Sequence, residues 1–445
     1  MKKIFAIIIL CYFIGSETKA YSQEISGYKW DEVTNIPEPY NNIYWLDVFF
    51  LKGNPDYGWI CGYGGNILRT TNGGETWSGT KIMDIVIDTI DIGGNIVYDT
   101  TFIPTINQLE SVHFSNQKIG YASGESRVFK STDGGASWRS VIDTGADGDI
   151  WGVFFITLDI GMAVGGGCDG SQYFRRTTNG GQSWTTFIGH EPESGLSDVI
   201  LESLYGEGYA SSSGLIWKTT NGGVTWNTLC STGDRDWQED IAVSGNTILV
   251  PYSEGCYGGG IRGGLRISKD LGKTWRDFPT TITMFGAFLL DSMRGWGVGQ
   301  QNSIYYTYNA GESWHLLNSG IKTNAPLDDI WFIDDTTGWV VGRGVYKFTG
   351  NVIVDVDDNT FNNTIIESLL PNPVNDDLKV LLNSNNKTHL SILSLTGHLL
   401  IDKEVFPTTN GLNEVNFDLS NLSSGLYFLQ VQSGEKTEFQ KIVKY

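Results

Sequence analysis

The sequence predicts an all-β protein: a seven-bladed β-propeller followed by a small immunoglobulin-like β-sandwich. Three observations predict it. An eight-residue phrase ending in Trp recurs six times, at successive spacings of 61, 46, 42, 49 and 39 residues, and this period suits a four-stranded blade. Gly, Thr, Ser, Asn and aromatic residues are abundant while helix formers are scarce, which favours short strands and tight turns. From Glu367 onward the pattern changes to alternating strands typical of a sandwich.

Residues 1–20 are expected to be a secretory signal peptide. Lys2 and Lys3 give a charged start, residues 4–14 are apolar, and residues 18–20 offer small side chains for cleavage. An apolar run of about eleven residues is too short to span a bilayer. We therefore expect Sec export to the periplasm and no membrane-spanning helix in the mature chain.

The charge of the chain bears on its partners. The formal net charge is −20, and residues 1–20 hold a net +2, so their removal leaves the mature chain at −22. A chain this acidic repels phosphate backbones, which argues against nucleic-acid binding. The five His residues are isolated from one another in the sequence, so we expect no metal site and no cofactor.

Four Cys residues remain after cleavage: Cys61, Cys168, Cys230 and Cys256. Their spacing matches no zinc pattern. Export permits disulfides, and Cys230 with Cys256 is the favoured pair because the two fall in neighbouring repeats. Four buried free thiols are the alternative.

Each copy of the repeated phrase, which we call a box, is predicted to close a turn between two strands. The boxes occupy residues 70–77, 131–138, 177–184, 219–226, 268–275 and 307–314. The Asn or Asp at position three bonds nearby backbone N–H groups, the Gly at position five adopts conformations that strain other residues, and the Trp at position eight packs between blades. The structural residues are therefore Asn72, Trp77, Asp133, Trp138, Asn179, Trp184, Asn221, Trp226, Asp270, Trp275, Asn309 and Trp314.

The segments around the boxes complete the ring. Three alternating strands precede each box, and the Trp opens a fourth. Residues 327–350 form a seventh unit with three strands and no box, and residues 27–33, which include Trp30, read as its missing outer strand. Pairing these two segments would close the ring and remove exposed sheet edges. The longest spacing holds an insertion, residues 81–106, that is predicted to form an extra hairpin around residues 93–95.

The boxes resemble those of Asp-box (BNR) propellers, especially the single seven-bladed kind typified by photosystem II assembly/stability factors. The resemblance covers about residues 26–350 and implies the propeller fold. It does not imply one function, because sialidases, xyloglucan hydrolases and sorting receptors share the boxes. The arginine-rich patch of the photosystem factors is not evident here.

The C-terminal segment is predicted to be a separate domain. The expected boundaries are residues 1–20 for the signal, 21–353 for the propeller, 354–366 for a linker and 367–445 for the sandwich. The sandwich resembles the type A C-terminal sorting domain of the type IX secretion system, through residues 371–373, 394–397, 419–422, 424–427 and 441–444. The resemblance implies recognition by the outer-membrane translocon, removal of the tag by its sorting-domain peptidase, and release or attachment at the cell surface.

Function is predicted on the propeller face opposite the boxes. The candidate ligand-binding residues in its loops are Asp149, Tyr173, Arg175, Asp234, Arg235, Trp237, Glu254, Tyr257 and Arg262. No catalytic set is recognisable: the Arg-Ile-Pro phrase of sialidases is absent, and xyloglucan hydrolases use a cleft between two propellers. We therefore expect a monomeric, noncatalytic module that binds a glycan, a peptide or a neighbouring surface protein. The alternative is an extracellular glycoside hydrolase, sialidase-like or xyloglucanase-like, with an unrecognised site on this face.

Overall fold

The computed structural model divides the chain into two compact units, Met1–Val354 and Asp355–Tyr445. It describes residues 12–13, 25–92, 95–104, 106–145, 148–166, 172–189, 195–231, 236–255, 262–321, 324–354, 366–370, 374–383, 386–394, 398–406, 412–433 and 436–445. Most of the predicted signal peptide, residues 355–365 of the predicted linker, and the sorting motifs at 371–373 and 395–397 lie outside these ranges.

The described part of the first unit consists of strands, apart from one 3-10 turn at Tyr40–Asn42. In chain order the strands are β1 (Tyr12–Phe13), β2 (Ile25–Glu32), β3 (Trp45–Phe50), β4 (Gly58–Gly62), β5 (Asn66–Thr70), β6 (Ser78–Lys81), β7 (Met83–Ile92), β8 (Asn95–Pro104), β9 (Ser111–Phe114), β10 (Gly120–Gly124), β11 (Arg127–Ser131), β12 (Arg139–Asp143), β13 (Asp149–Phe155), β14 (Gly161–Gly166), β15 (Gln172–Thr177), β16 (Thr185–Gly189), β17 (Leu196–Leu201), β18 (Gly208–Ser212), β19 (Leu215–Thr219), β20 (Asn227–Ser231), β21 (Ala242–Ser244), β22 (Thr247–Ser253), β23 (Gly263–Ser268), β24 (Thr274–Thr280), β25 (Met284–Leu289), β26 (Gly295–Gly299), β27 (Ser303–Thr307), β28 (His315–Leu316), β29 (Leu327–Phe332), β30 (Gly338–Gly342) and β31 (Gly344–Val354).

Seven antiparallel four-stranded arrays form the blades in the described part of this unit. Blades one to six are β3–β6, β9–β12, β13–β16, β17–β20, β21–β24 and β25–β28, and blade seven is β29–β31 completed by β2. The two-residue strand β1 pairs in parallel with β24 at the outer side of blade five. First strands of neighbouring blades pack together, as β13 does on β17 and β29 on β3. The predicted all-β propeller architecture is confirmed.

Blade seven joins the two ends of the propeller. β2 pairs antiparallel with β31 along its length. Trp30, in the middle of β2, is fully buried. Its ring centroid lies 5.1 Å from that of Phe348, and its indole N–H donates to the Leu317 carbonyl oxygen at 2.7 Å. The predicted closing strand is therefore confirmed.

Every box forms the same turn between the third and fourth strands of its blade. In the first box the Asn72 side-chain oxygen accepts from the Thr76 N–H at 3.0 Å, and the Thr70 hydroxyl accepts from the Gly74 N–H at 2.9 Å. Both bonds recur in the other five boxes at 2.8–3.0 Å. The hydroxyl at position one thus caps the turn together with the Asn or Asp, a role not anticipated from the sequence.

The boxes also sit where blades meet. A β-carbon on Gly74 would lie 2.9 Å from the indole nitrogen of Trp339 in blade seven, and its φ of 76° favours Gly. Trp339 in turn stacks on Phe50 of blade one, with ring centroids 3.8 Å apart. Trp59 stacks on Phe114 in the same way, at 3.5 Å, across the seam between blades one and two. The Trp residues that end the boxes are buried (Trp77, Trp226, Trp275) or half-buried (Trp138, Trp184, Trp314).

The insertion in the longest spacing forms the predicted hairpin. β7 pairs with β8 from Met83 opposite Pro104 to Ile92 opposite Asn95. It follows β6, the outer strand of blade one, and therefore leaves the propeller on the face opposite the boxes.

Cys61 and Cys230 are buried free thiols. Cys230 packs in the apolar seam between blades four and five, against a cluster that includes Trp275. The expected disulfide between Cys230 and Cys256 is therefore wrong, because the thiol of Cys230 serves as a small apolar group in that seam. Cys168 and Cys256 lie outside the described residues.

The second unit is a sandwich of two sheets. Its strands are β32 (Ile366–Leu370), β33 (Asp377–Asn383), β34 (Thr388–Leu393), β35 (Leu399–Val405), β36 (Leu412–Asp418), β37 (Gly425–Ser433) and β38 (Lys436–Lys444), in the orders β32-β33-β36 and β35-β34-β37-β38. One apolar cluster takes side chains from both sheets, among them Val380, Phe417, Leu390 and Leu429. No helix among the described residues of either unit is long and apolar enough to cross a membrane.

Candidate functional site

The inner strands of the seven blades surround an axial channel of about 1400 Å³. In blades one to six the box joins the third and fourth strands, so the antiparallel order places the start of the inner strand at the opposite face. Blade seven has the same strand order without a box. We call that end of the channel the mouth. The residues that lead into the first strands therefore decide what a ligand meets there.

One residue from each blade forms a ring at the mouth. In five blades this residue lies at an irregularity in the pairing of the first and second strands, and a β-bulge of this kind re-aims a side chain. The mouth ring consists of Leu46, Glu110, Trp151, Ser197, Glu239, Phe285 and Asp328. Three of its members are acids, contributed by blades two, five and seven.

The mouth acids have raised pKa values and no ion-pair partner among the described residues. Burial raises the pKa of Glu110 to about 7 and that of Asp328 to about 8. Burial, followed by the charge of Asp328, raises the pKa of Glu239 well above its usual range. Oε2 of Glu239 and Oδ2 of Asp328 are buried without a hydrogen-bond partner. None of the ion pairs in the described part of the chain includes these three acids.

Aromatic side chains also line the mouth. Trp151 and Trp237 meet edge to face, with ring centroids 5.1 Å apart. Tyr44 and Tyr63 also meet edge to face, at 5.4 Å. Hydrogen bonding from Tyr44 offsets part of the effect of burial on the pKa of Asp328. The mouth thus combines acidic oxygens with aromatic rings, held on strands of a closed ring.

A second ring lies one residue further along each inner strand. This acid ring consists of Asp47, Ser111, Gly152, Asp198, Asp240, Gly286 and Asp329. Asp47 hydrogen-bonds Asp329 between blades one and seven, and Asp198 hydrogen-bonds Asp240 between blades four and five. Two carboxyl groups can share a hydrogen bond only if one of them holds a proton.

Burial is the main cause of the raised pKa values in the acid ring. It raises the pKa of Asp240 to about 6 and those of Asp198 and Asp329 well above their usual range. The carboxyl groups also tie blades together: Asp329 accepts from the Val48 N–H at 2.9 Å, and Asp240 accepts from the Ala287 N–H at 2.7 Å. These acids are therefore part of the framework of the ring.

An arc of five aromatic rings lines the channel beyond the acid ring. Along Phe154, His113, Phe49, Trp331 and Phe288, successive ring centroids are 4.8, 4.7, 4.9 and 5.1 Å apart. Burial lowers the pKa of His113 to about 3, so the imidazole is neutral at ordinary pH. This part of the channel is apolar and uncharged.

Two of the ligand-binding residues predicted from sequence meet at the mouth. Asp149 and Trp237 both line the channel there, and burial, followed by the charge of Glu125, raises the pKa of Asp149. Tyr173 and Arg175 lie on β15, the third strand of blade three, where the buried Arg175 guanidinium covers the Tyr173 ring at 4.7 Å.

Two more of the predicted ligand-binding residues are described, and three are not. Glu254 and Arg262 are exposed and joined by a backbone hydrogen bond of 2.9 Å. Asp234, Arg235 and Tyr257 lie outside the described residues.

Tyr44 and the three mouth acids were not predicted from the sequence. A signal for the acids exists, because Glu110, Glu239 and Asp328 occupy the same position in three repeats, two residues before a buried aliphatic residue. Only the alignment of all seven inner strands reveals it.

The arrangement suits recognition of a positively charged group. In the described residues no set of three or more His, Cys, Asp or Glu side chains is placed to hold a metal ion. The carboxyl groups of the acid ring that meet are in direct hydrogen-bond contact, closer than the roughly 5–10 Å that separates the paired acids of glycosidases. The mouth offers charge and aromatic contact to a ligand.

The fold and channel define this chain as a single β-propeller with an appended C-terminal sandwich, and comparison with known proteins adds two relationships. Residues 368–445 match the family described as secretion system C-terminal sorting domain. The chain is also 24% identical over 348 residues to the chloroplastic photosystem II stability/assembly factor HCF136 of Arabidopsis thaliana, which covers 71% of this chain and 77% of that protein.

Solved structures with a similar fold include two of YCF48. One is described as YCF48 bound to D1 peptide, with 16% identity, a TM-score of 0.53, and coverage of 75% of this chain and 100% of that one. The other, from Cyanidioschyzon merolae, has 20% identity, a TM-score of 0.50, and coverage of 73% and 99%. The expected likeness to photosystem assembly-factor propellers is confirmed at the level of fold, and the sorting domain is confirmed, which implies secretion.

Proposed function

We propose that this protein is a secreted propeller, delivered to the cell surface or outer membrane, that binds a polypeptide ligand without catalysis at the mouth of its axial channel. The observation that carries the proposal is the mouth itself: buried carboxyl oxygens without partners, beside two Trp rings, on a scaffold closed by Trp30. Such sites bind by presenting fixed polar groups in a concave, partly aromatic surface.

A polypeptide ligand is favoured over a glycan for two reasons. Sugar platforms need aromatic faces open to solvent, whereas Trp237 is only 3% exposed and meets Trp151 edge to face. A structurally similar propeller, YCF48, is described as bound to a peptide. The comparisons with known proteins give the glycoside hydrolase alternative no support. The two carboxyl pairs of the acid ring are hydrogen-bonded to each other and leave no room for a glycosidic bond between their members.

The test of binding is selection from a phage library of random dodecapeptides on the immobilised mature protein, in parallel with a glycan array and with polysaccharide digestion. We expect peptides that bind saturably and compete with one another. Failure to enrich any peptide, or saturable cleavage of a defined glycan, would overturn the proposed function.

Export is proposed to proceed in two steps. Residues 1–20 would direct Sec transport into the periplasm, and residues 367–445 would then engage the type IX translocon as a type A sorting domain and be removed by its peptidase. The linker and propeller boundaries, 354–366 and 21–353, follow the same proposal. Lys444 supports the integrity of this unit: it is almost fully buried and donates to the Asn375 carbonyl oxygen at 2.6 Å.

Removing residues 367–445 should leave the protein in the periplasm. Fractionation of a producing strain with antibody detection checks this, with a variant that lacks only the insertion hairpin, residues 83–104, as the control for a change in chain length. Unchanged delivery of the truncated chain to the surface would contradict the assignment of the tag.

A further inference from the structure

We infer that the mouth receives the guanidinium group of an arginine side chain of the ligand. This inference rests on the polypeptide-binding function proposed above and names the chemical group that the mouth selects. Its starting point is the pair of buried oxygens, Oε2 of Glu239 and Oδ2 of Asp328, that line the cavity without a hydrogen-bond partner. Buried polar atoms in folded proteins are nearly always satisfied, so two orphaned acceptors beside a cavity mark a place for a donor.

The missing donor must be positively charged. Glu110, Glu239 and Asp328 come from blades two, five and seven, so acidic groups approach the mouth from different sides of the ring. The pKa of Glu239 is raised by burial and then by the charges of Asp328 and Glu110. The ionised forms of these carboxyl groups repel one another, and a bound cation relieves that repulsion and favours ionisation, whereas a neutral donor does neither.

None of the ion pairs among the described residues joins a basic side chain of the channel lining to a mouth acid. The basic side chains among the described lining residues are Lys52 and Arg343. Lys52 follows β3 at the box face, where its charge acts on Glu202. Arg343 lies at the mouth, on the short connection from β30 to β31, but its side chain is exposed and forms none of these ion pairs.

An extended organic cation fits better than a metal ion. No set of three acidic or other ligating side chains in the described residues is close enough to hold a metal. Guanidinium carries five N–H donors in a planar fork and can bond several separated oxygens at once, while the ammonium of lysine is a compact point charge.

The indole rings favour guanidinium as well. Trp151 belongs to the mouth ring and Trp237 stands edge-on to it at 5.1 Å. Guanidinium is more weakly hydrated than ammonium, so its transfer into a partly aromatic pocket is less costly.

Binding should be coupled to proton release. Burial holds the pKa of Glu110 at about 7 and that of Asp328 at about 8, so both groups are partly protonated near pH 7. A bound cation favours their ionised forms and drives protons into solution. The calorimetric enthalpy of binding should therefore depend on the ionisation enthalpy of the buffer at pH 7.

The first experiment uses the dodecapeptides selected on the mature protein. We expect arginine in the selected sequences, and replacement of that arginine by citrulline, which keeps the shape and removes the charge, should weaken binding by about 30-fold or more. Selected peptides without arginine, or equal binding of the citrulline peptide, would overturn the inference and leave the proposed function standing. Failure to select any peptide would overturn both the proposed peptide-binding function and the inference about arginine.

The second experiment locates the charge. Asp328→Asn and Glu239→Gln should each weaken the arginine peptide by about 30-fold or more and leave the citrulline peptide unchanged. The matched controls are Asp56→Asn, at an exposed residue of blade one, and Glu202→Gln, at the box-face end of the same channel. Urea unfolding of each variant verifies its fold. Equal losses in mouth and control variants would refute the assignment of the cation to the mouth.

Discussion

Replacing Asp198 by Asn should change how the stability of the propeller depends on pH. Asp198 shares a hydrogen bond with Asp240 in the channel, so the folded chain holds a proton there that the unfolded chain gives up near pH 4. Because the folded-state pKa is raised, this stabilisation is complete below about pH 4 and is lost as pH rises. The side-chain amide in Asp198→Asn can donate the same hydrogen bond to Asp240 without taking up a proton from solvent.

The magnitude follows from proton counting. One extra proton in the folded state tilts the free energy of unfolding by about 1.4 kcal/mol per pH unit. Between pH 4.5 and pH 7 the wild type therefore loses about 3 kcal/mol at this pair that Asp198→Asn retains. The mouth acids with raised pKa values, such as Glu110, also make the free energy of unfolding depend on pH. This dependence is the same in the wild type and in the variant, so it cancels in the difference between them.

Urea denaturation followed by Trp fluorescence measures this difference. All 15 Trp residues precede residue 355, so the signal reports the propeller alone. Wild type and Asp198→Asn should differ least at pH 4.5 and diverge by about 3 kcal/mol in favour of the variant at pH 7. Asp56→Asn, which removes one charge from an exposed site, should follow the wild type throughout. A difference that does not grow with pH would refute the shared proton.

Two further predictions concern the framework. Trp30→Ala should lower the free energy of unfolding by about 3–5 kcal/mol, because it removes a fully buried indole from the closing strand; urea denaturation measures the loss, and an unchanged midpoint would contradict closure by β2. Burial opposes ionisation of Asp133, but hydrogen bonds, chiefly from Ser137, lower its pKa to about 2. This stabilisation exists above pH 4 and is lost as pH falls toward 2. Asp133→Asn should therefore lower the free energy of unfolding at pH 7 and not at pH 2, as measured by urea denaturation. An effect of the same size at both pH values would argue against stabilisation by the ionised carboxylate.

The fold was predictable because its signals are local and repeated. The spacing of the boxes measures the length of a blade, and each box is closed by bonds within a few residues of chain, such as that from the Thr76 N–H to Asn72. Even the closing strand was predictable, since the segment around Trp30 resembles a strand that follows a box. The error at Cys230 has a physical origin: a thiol in an apolar seam and a half-cystine look alike in sequence.

The site was predictable only in part. Asp149 and Trp237 were found because they lie in inter-blade connections, which the topology places at the mouth. Tyr173 and Arg175 do not line the channel, because the third strand of a blade lies two strands away from the axis. The acids of the mouth are far apart in sequence and look like the starts of ordinary strands, so only the closed ring shows that they face one another.

The sheet shared by β2 and β31 sets an order of events for a chain that folds as it emerges from a ribosome or a translocation pore. β2 appears first, but its partner follows roughly 310 residues later. Blades one to six can form in the meantime, because their strands pair with neighbours in sequence. Until β31 is available, β2 stays unpaired and the side chain of Trp30 is exposed to water. Pairing of β2 with β31 is thus the last step of folding. A nascent propeller halted before residue 344 remains an open ring whose unpaired sheet edges favour aggregation.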